Sequence, residues 1–169
     1  MPKPDPAELR RFAESFLYRP EALLVDEVTE LLPEARAIRA RLETTRPLPY
    51  ASLQRTSKLH PAHVAGADLI AATGTLGCLH AWFFHGCRWD AGWSAFGNRI
   101  HRADFKRLAR LGPPLELECR ELRARVGAKR IVIRFEFRFH QDGQLVYVGD
   151  QTAMFLKDVP LSAGEDGDG

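Results

Sequence analysis

HPAHVAGADLIAATGTLGCLHAWFFHGC, residues 60–87, is the stretch of this chain that decides the fold. It contains four of the 6 histidines and two of the 3 cysteines. From Leu69 to Cys87 it has no Asp, Glu, Lys or Arg, and Asp68 is its single carboxylate. Such a stretch allows three interpretations: a membrane span, a metal site, or a buried helix that presents one acid to a reaction.

The apolar segment is long enough to be tested as a membrane span, because about 20 apolar residues cross a bilayer. Three glycines, two threonines and two histidines interrupt it, however, and the chain has no second apolar segment. A helix that is apolar nearly all round is normally surrounded by other structure. We therefore expect no membrane span, and predict a buried helix over residues 64–84.

Composition narrows the class of protein. A chain of 169 residues is most simply one domain, and 24 Lys+Arg against 22 Asp+Glu give a net charge of +2. The charges are interspersed, so we expect no nucleic-acid partner. The N-terminus is polar and lacks a secretory h-region, and the cysteines are unevenly spaced, so we expect a cytoplasmic protein without a disulfide framework.

Strand and helix patterns flank the apolar segment. Residues 6–17 predict a short amphipathic helix that ends before Pro20. Residues 22–31 and 35–44 predict a pair of strands, and residues 46–63 a proline-rich loop leading to the buried helix.

After the helix, alternation of apolar and polar residues predicts antiparallel strands over 96–105, 115–126, 130–140 and 145–156, with a hairpin turn at 141–144. In the third of these strands the alternation is strict. Its apolar face consists of Ile131, Ile133, Phe135, Phe137 and Phe139.

These elements predict an α+β protein in which a curved antiparallel sheet wraps around one long central helix, since that helix is the only element able to cover the apolar face of the sheet. We divide the chain into an N-terminal helix and extension (1–19), a single domain (20–158) and a disordered tail (159–169). Unpaired edge strands favour pairing with a second copy, so we expect a homodimer or a higher homo-oligomer.

Four short segments carry a family resemblance: ALLVDEV (22–28), DLIA (68–71), FKRLARLGP (105–113) and GQLVY (143–147). In this order they resemble the 3-hydroxyacyl-[acyl-carrier-protein] dehydratase family over about residues 20–157. The resemblance implies the hotdog fold. It also implies a substrate carried as a thioester on the phosphopantetheine of acyl carrier protein or CoA, in fatty-acid or polyketide-type biosynthesis, without a separate cofactor.

The resemblance further implies a pair of catalytic groups, a histidine base before the helix and a helix acid, which here is Asp68. The family spacing places the histidine at position 54, where this chain has Gln54, and glutamine cannot take a proton. In that case His63 or His60 supplies the imidazole, since a pKa near 6.5 suits base catalysis. The expected reaction is dehydration of a 3-hydroxyacyl group.

A second resemblance leads to a different reaction. HVAGAD (63–68) is similar to the His-to-Glu motif of actinobacterial long-chain acyl-CoA thioesterases, with Asp68 in place of Glu. Hydrolysis needs an acid that orients water and N–H groups that polarise the thioester oxygen. We assign Gly66, Ala67 and Gln54 to substrate binding in either reaction. Because of Gln54, a non-catalytic hotdog binding protein is a third possibility.

The histidines also suggest a metal site, since zinc accepts imidazole ligands. His80 and His85, however, are five residues apart, about 140° around a helix, so they share no face unless the helix ends between them. We therefore expect core or rim histidines and no metal.

Overall fold

The computed structural model describes residues 3–159, which form two α-helices and six strands. The helices are α1 (Pro6–Ser15) and α2 (Gly66–His85). The strands are β1 (Glu27–Leu32), β2 (Ala37–Leu42), β3 (Trp93–Phe105), β4 (Leu115–Val126), β5 (Arg130–Gln141) and β6 (Gln144–Lys157). All six belong to one antiparallel sheet in the order β1-β2-β4-β5-β6-β3, so β1 and β3 form its edges.

The sheet is amphipathic, as the alternation in β5 predicts. Its inward face buries all five predicted residues, Ile131 to Phe139, and none is more than 2% exposed. On the outward face arginines pair with carboxylates of neighbouring strands, as in the contact of Arg134 with Asp150 and of Arg120 with Glu136. One face is therefore apolar and packs on α2, while the other is charged and hydrated.

Helix α2 lies against the apolar face of this curved sheet, which confirms the predicted α+β architecture. The helix packs closely on β5 at Gly77, where an added Cβ would lie 3.5 Å from the Phe135 ring. The helix ends where Gly86 adopts φ +65 and Cys87 N–H bonds to the Ala81 carbonyl at 3.2 Å. Within residues 3–159, no helix combines the length and apolar character that crossing a membrane requires.

The N-terminal helix α1 is attached to the C-terminal half of α2. Phe12 is 2% exposed and meets the Trp82 ring edge-on, at 5.4 Å between centroids. The Trp82 indole N–H donates to Glu8 at 3.1 Å, and the Arg88 guanidinium lies over the same ring. The N-terminal segment is therefore packed on the domain.

Several element boundaries differ from the sequence expectation. The predicted strand 22–31 begins only at Glu27, because residues 20–22 form a 3-10 turn that leads Leu24 into the core. The buried helix runs over 66–85 rather than 64–84. The hairpin turn at Asp142–Gly143 is as predicted, with φ +51 and +71. Of the predicted tail 159–169, all but the first residue lies outside the described residues.

Gly149 of β6 provides a test of this packing. A Cβ at this position would lie 2.7 Å from the Tyr147 hydroxyl oxygen, and Tyr147 is fully buried against Phe139. We expect Gly149→Ala to lower the free energy of unfolding by about 1–3 kcal/mol, measured by urea denaturation. The control is Gly97→Ala, whose Cβ meets no heavy atom within 4 Å. Equal stability of the two variants would contradict the close contact.

Candidate active site

Asp68 is buried in the first turn of α2, and its side chain is bonded to the loop that precedes the helix. Oδ1 accepts a hydrogen bond from the Tyr50 N–H at 2.9 Å, and Oδ2 accepts one from the Ala51 N–H at 2.8 Å. The carboxylate thus caps a neighbouring turn, while Ala65 at the N-cap of α2 provides no side-chain acceptor. Asp68 therefore joins this loop to the start of the helix.

The N-terminal N–H groups of α2 make no hydrogen bond within the described protein. The first hydrogen bond of the helix runs from Leu69 N–H to the Ala65 carbonyl at 3.2 Å. Across residues 3–159, the N–H groups of Gly66, Ala67 and Asp68 have no protein acceptor. Free N–H groups and the helix dipole favour a negatively charged oxygen at this end. The assignment of Gly66 and Ala67 as oxyanion donors fits this geometry and stays a prediction.

Gln54 and His63 are in contact beside this helix end. Gln54 Oε1 accepts the His63 backbone N–H at 3.2 Å. The His63 ring donates from Nδ1 to the Pro61 carbonyl at 2.7 Å, because a carbonyl can only accept. In the neutral ring the lone pair is therefore on Nε2, which lies 3.4 Å from the Gln54 amide nitrogen. The bond to Pro61 fixes the orientation of the His63 ring. The exposed His60 ring lies 5.0 Å from that of His63.

An apolar groove of about 350 Å³ runs between α2, the β3 and β6 strands and the N-terminal segment. Small residues of α2, Ala71, Gly74 and Cys78, form its floor. Burial raises the pKa of the Cys78 thiol to about 12, so this thiol is uncharged at neutral pH and is no nucleophile. The aromatic residues of the walls are Phe16, Tyr18, Phe96, Phe135, Phe137 and Phe155.

One helix face connects the groove to the free N–H groups. Ala67, Ala71, Gly74 and Cys78 follow one another at intervals of four, three and four residues, which places them on one side of α2. Ala67 is exposed at the start of this face, and the three others line the groove. Ala67 and the groove therefore lie on the same side of α2.

Polar side chains also line the groove, and two of them form a hydrogen-bonded pair. Thr73 and Gln151 both line it, and Thr73 Oγ1 lies 3.1 Å from Gln151 Oε1. The Gln151 amide donates to the buried Tyr147 hydroxyl at 3.2 Å. A bound chain would meet these hydrogen-bonding groups, although most of the lining residues are apolar.

The structure separates the predicted site residues from the groove. None of Asp68, His63, His60, Gly66, Ala67 and Gln54 lines it. Gln54 and His63 are brought together, whereas Asp68 bonds to the Tyr50–Ala51 turn. The sequence reasoning missed Thr73, Gln151 and the contribution of Phe16 and Tyr18. The spacing of small residues along α2 was the available signal for the groove.

At the opposite end of α2, His80 and His85 converge on Glu121 of β4, although their spacing of five residues predicts different faces of a continuous helix. One ligand atom from each of the three residues lies within 4.8 Å of the other two. His85 Nε2 is 2.6 Å and His80 Nε2 is 3.9 Å from Glu121 Oε2. The histidines meet because the helix ends at His85 and the Glu121 carboxylate reaches both rings.

Comparison with known proteins gives a structural match only. No family model and no curated protein sequence matches this chain. A mutant thioesterase from Pseudomonas aeruginosa aligns with a TM-score of 0.59 at 14% identity, over 91% of this chain and 95% of that one. A thioesterase from Haemophilus influenzae gives 0.55 at 17% identity, over 90% and 93%. A dehydratase heterocomplex from Xenorhabdus doucetiae gives 0.59 at 13% identity, over 88% and 90%.

These similarities, with the six-stranded sheet around one helix, define a hotdog-fold protein and confirm the predicted fold. Identities this low show the fold alone. Membership of the 3-hydroxyacyl-[acyl-carrier-protein] dehydratase family, suggested by four short segments, stays a prediction.

The contacts of Asp68 predict a structural effect of its substitution. In Asp68→Asn only one side-chain atom accepts, so one of the two buried N–H groups at Tyr50 and Ala51 loses its partner. We expect the free energy of unfolding to fall by about 1–3 kcal/mol, measured by chemical denaturation. The matched control is Asp142→Asn, at an exposed turn with φ +51, a conformation that Asn adopts readily. A stable Asp68→Asn variant would contradict a bonding role for this carboxylate.

Proposed function

We propose that this protein hydrolyses an acyl thioester carried on the phosphopantetheine of CoA or acyl carrier protein. The observation that carries the proposal is the continuous face of α2, which leads from the free N–H groups at Gly66 and Ala67 into the apolar groove. An acyl chain lying in the groove would have its thioester carbonyl at the helix N-terminus. There the N–H groups would stabilise the negative charge that forms on the oxygen during attack.

His63 is the candidate base in this reaction. Its Nδ1–H bond to Pro61 places the lone pair on Nε2, and water would have to replace the Gln54 amide nitrogen, 3.4 Å from Nε2, to give its proton to this atom. The water oxygen would then bond to the carbonyl carbon, the carbon–sulfur bond would break, and the thiolate would leave and take up a proton. Gln54 contacts both the backbone N–H and the ring Nε2 of His63 and would position its ring.

The contacts of Asp68 favour hydrolysis over dehydration. Dehydration requires an acid that gives a proton to the departing hydroxyl, whereas both Asp68 oxygens accept backbone N–H bonds and the side chain is fully buried. In this arrangement Asp68 acts as a positioning residue that holds the Tyr50–Ala51 turn, and with it Gln54, against the helix. Its predicted role as the acid would require that turn to move.

Dehydration remains the second candidate, because the dehydratase from Xenorhabdus doucetiae superimposes as well as the thioesterases. In that reaction the oriented His63 would remove a proton from C2 of a 3-hydroxyacyl group. The same groove would accept the chain.

A homodimer is part of the proposal. Within the described residues β3 pairs only with β6, so its other edge exposes unpaired backbone groups. Pairing with the same edge of a second copy would satisfy them and close the open side of the groove that β3 borders.

Product analysis distinguishes the reactions. We expect incubation with saturated and 3-hydroxyacyl thioesters of CoA and of acyl carrier protein to release free thiol, because the helix N–H groups polarise the carbonyl in all of these substrates. Thiol-reactive dye measures the release, and mass spectrometry detects the enoyl thioester. Enoyl product would support dehydration instead. Binding of acyl thioesters without either product would identify a non-catalytic binding protein.

The histidine pair supplies matched variants for the same assay. His63→Gln should reduce kcat/KM about 100-fold or more through loss of the base, whereas the exposed His60→Gln should have a small effect. Equal effects of the two substitutions would contradict the assignment of His63.

Gly74 tests whether the groove accepts the acyl chain. A Cβ on Gly74 meets no heavy atom within 4 Å, so Gly74→Leu should fold and project its side chain into the groove. Excluding about two methylene groups at about 0.8 kcal/mol each should lower kcat/KM for long acyl chains about tenfold, with little effect on acetyl thioesters. The measurement is a chain-length series, with Gly74→Ala as the control. A uniform loss across chain lengths would place the acyl chain elsewhere.

A further inference from the structure

We propose that His80, His85 and Glu121 form a binding site for a divalent transition metal of the zinc type at the C-terminal end of α2. In the described structure the guanidinium group of Arg36 lies at this position, and the metal would displace it. The site is independent of the acyl groove, since none of these four residues lines it.

The three residues already form a compact donor set. One ligand atom of each lies within 4.8 Å of the other two. Tetrahedral zinc, with bonds of about 2.0–2.1 Å, requires ligand atoms about 3.4 Å apart, so the side chains would have to rotate toward one another on binding. Glu121 Oε2 lies 2.6 Å from His85 Nε2 and 3.9 Å from His80 Nε2, and the His80 atom proposed as ligand, Nδ1, belongs to the same ring.

His80 has an unused lone pair. Its Nε2 lies 2.9 Å from the Arg36 carbonyl, so Nε2 must donate and the lone pair of the neutral ring is on Nδ1. The residue is fully buried, and Nδ1 has no hydrogen-bond partner among residues 3–159. A buried polar atom without a partner is uncommon and requires an explanation. A metal-binding histidine commonly donates one N–H to a backbone carbonyl in this way.

His85 lies between two groups that no single protonation state satisfies. Its Nε2 is 2.6 Å from Glu121 Oε2 and 2.9 Å from Arg36 Nη2. If Nε2 carries a proton it faces another donor at Arg36, and if it carries a lone pair it faces the carboxylate. A metal in place of the guanidinium would accept the lone pairs of both His85 and Glu121.

The surroundings favour a cation. The carbonyl groups at the C-terminus of α2 carry partial negative charge, and the Glu121 carboxylate adds to it. The Arg36 guanidinium provides the positive charge in the described structure, 3.2 Å from Glu121 and 5.3 Å from the Phe84 ring centre. Its side chain is 40% exposed, so it can move into solvent when a metal binds.

The ligand types select the metal. Two imidazole nitrogens and one carboxylate oxygen suit zinc and its neighbours, whereas magnesium and calcium require mainly oxygen ligands. Three protein ligands leave a fourth position for water or an external ligand. The proposal therefore describes an open site.

Isothermal titration of the full chain with Zn²⁺, with and without Mg²⁺, tests the site. We expect one zinc per chain, and tetrahedral visible absorption when Co²⁺ is used. His85→Asn and Glu121→Gln should each weaken binding about 10- to 100-fold. Arg36→Asn should strengthen it, since the competing cation is removed while Asn tolerates the φ of +49 at this position.

Circular dichroism would show that each variant is folded, and the double variant His60→Asn/His63→Asn controls for zinc bound at the exposed histidine pair. No zinc binding by the unmodified chain would overturn the proposal. Binding that survives both His85→Asn and Glu121→Gln, or that disappears in the double variant, would do the same. Unchanged affinity in Arg36→Asn would contradict the displacement of the guanidinium.

Discussion

The burial of α2 against the apolar face of the sheet is the constraint on which the rest of the structure depends. From Leu69 to its end at His85, α2 has no Asp, Glu, Lys or Arg, and burying it removes its apolar surface from water; five aromatic and aliphatic residues of β5 need the same cover. The apolar surfaces of the helix and the sheet therefore cover each other from water. The strict alternation in β5 then fixes which face of the sheet is turned outward, where arginines and carboxylates pair.

This arrangement leaves chemistry at the two ends of one helix. At the N-terminus the Asp68 side chain bonds to the Tyr50–Ala51 turn instead of capping its own helix, so backbone N–H groups remain free. At the C-terminus a carboxylate and two imidazole rings surround the Arg36 guanidinium; they belong to Glu121, His80 and His85. The dipole of α2 favours an anion at the first site and a cation at the second. The groove lies along the helix between these ends.

Much of the fold could be predicted, because periodicity is a local property. The alternation over 130–140 and the Asp142–Gly143 turn specify a hairpin without reference to any other part of the chain. The alternation predicts a start of β1 that is too early, because the residues before Glu27 form a 3-10 turn and an extended segment packed on the core. For the candidate site, the sequence predicts Gln54, His63 and Asp68 as functional residues. It does not predict their hydrogen-bond partners, because these lie too far along the chain for a local pattern to specify.

The amino-acid sequence by itself determined that one apolar helix would be wrapped by an antiparallel sheet, because hydrophobic spacing and the absence of charge decide burial residue by residue. Only the tertiary structure decided what the polar residues do. In the folded chain Asp68 accepts a hydrogen bond from Ala51, 17 residues earlier, and Glu121, 36 residues after His85, lies at the end of α2. Whether a hydrogen bond forms depends on differences of a few tenths of an ångström in the donor–acceptor distance. Those distances are set only when separate elements pack together.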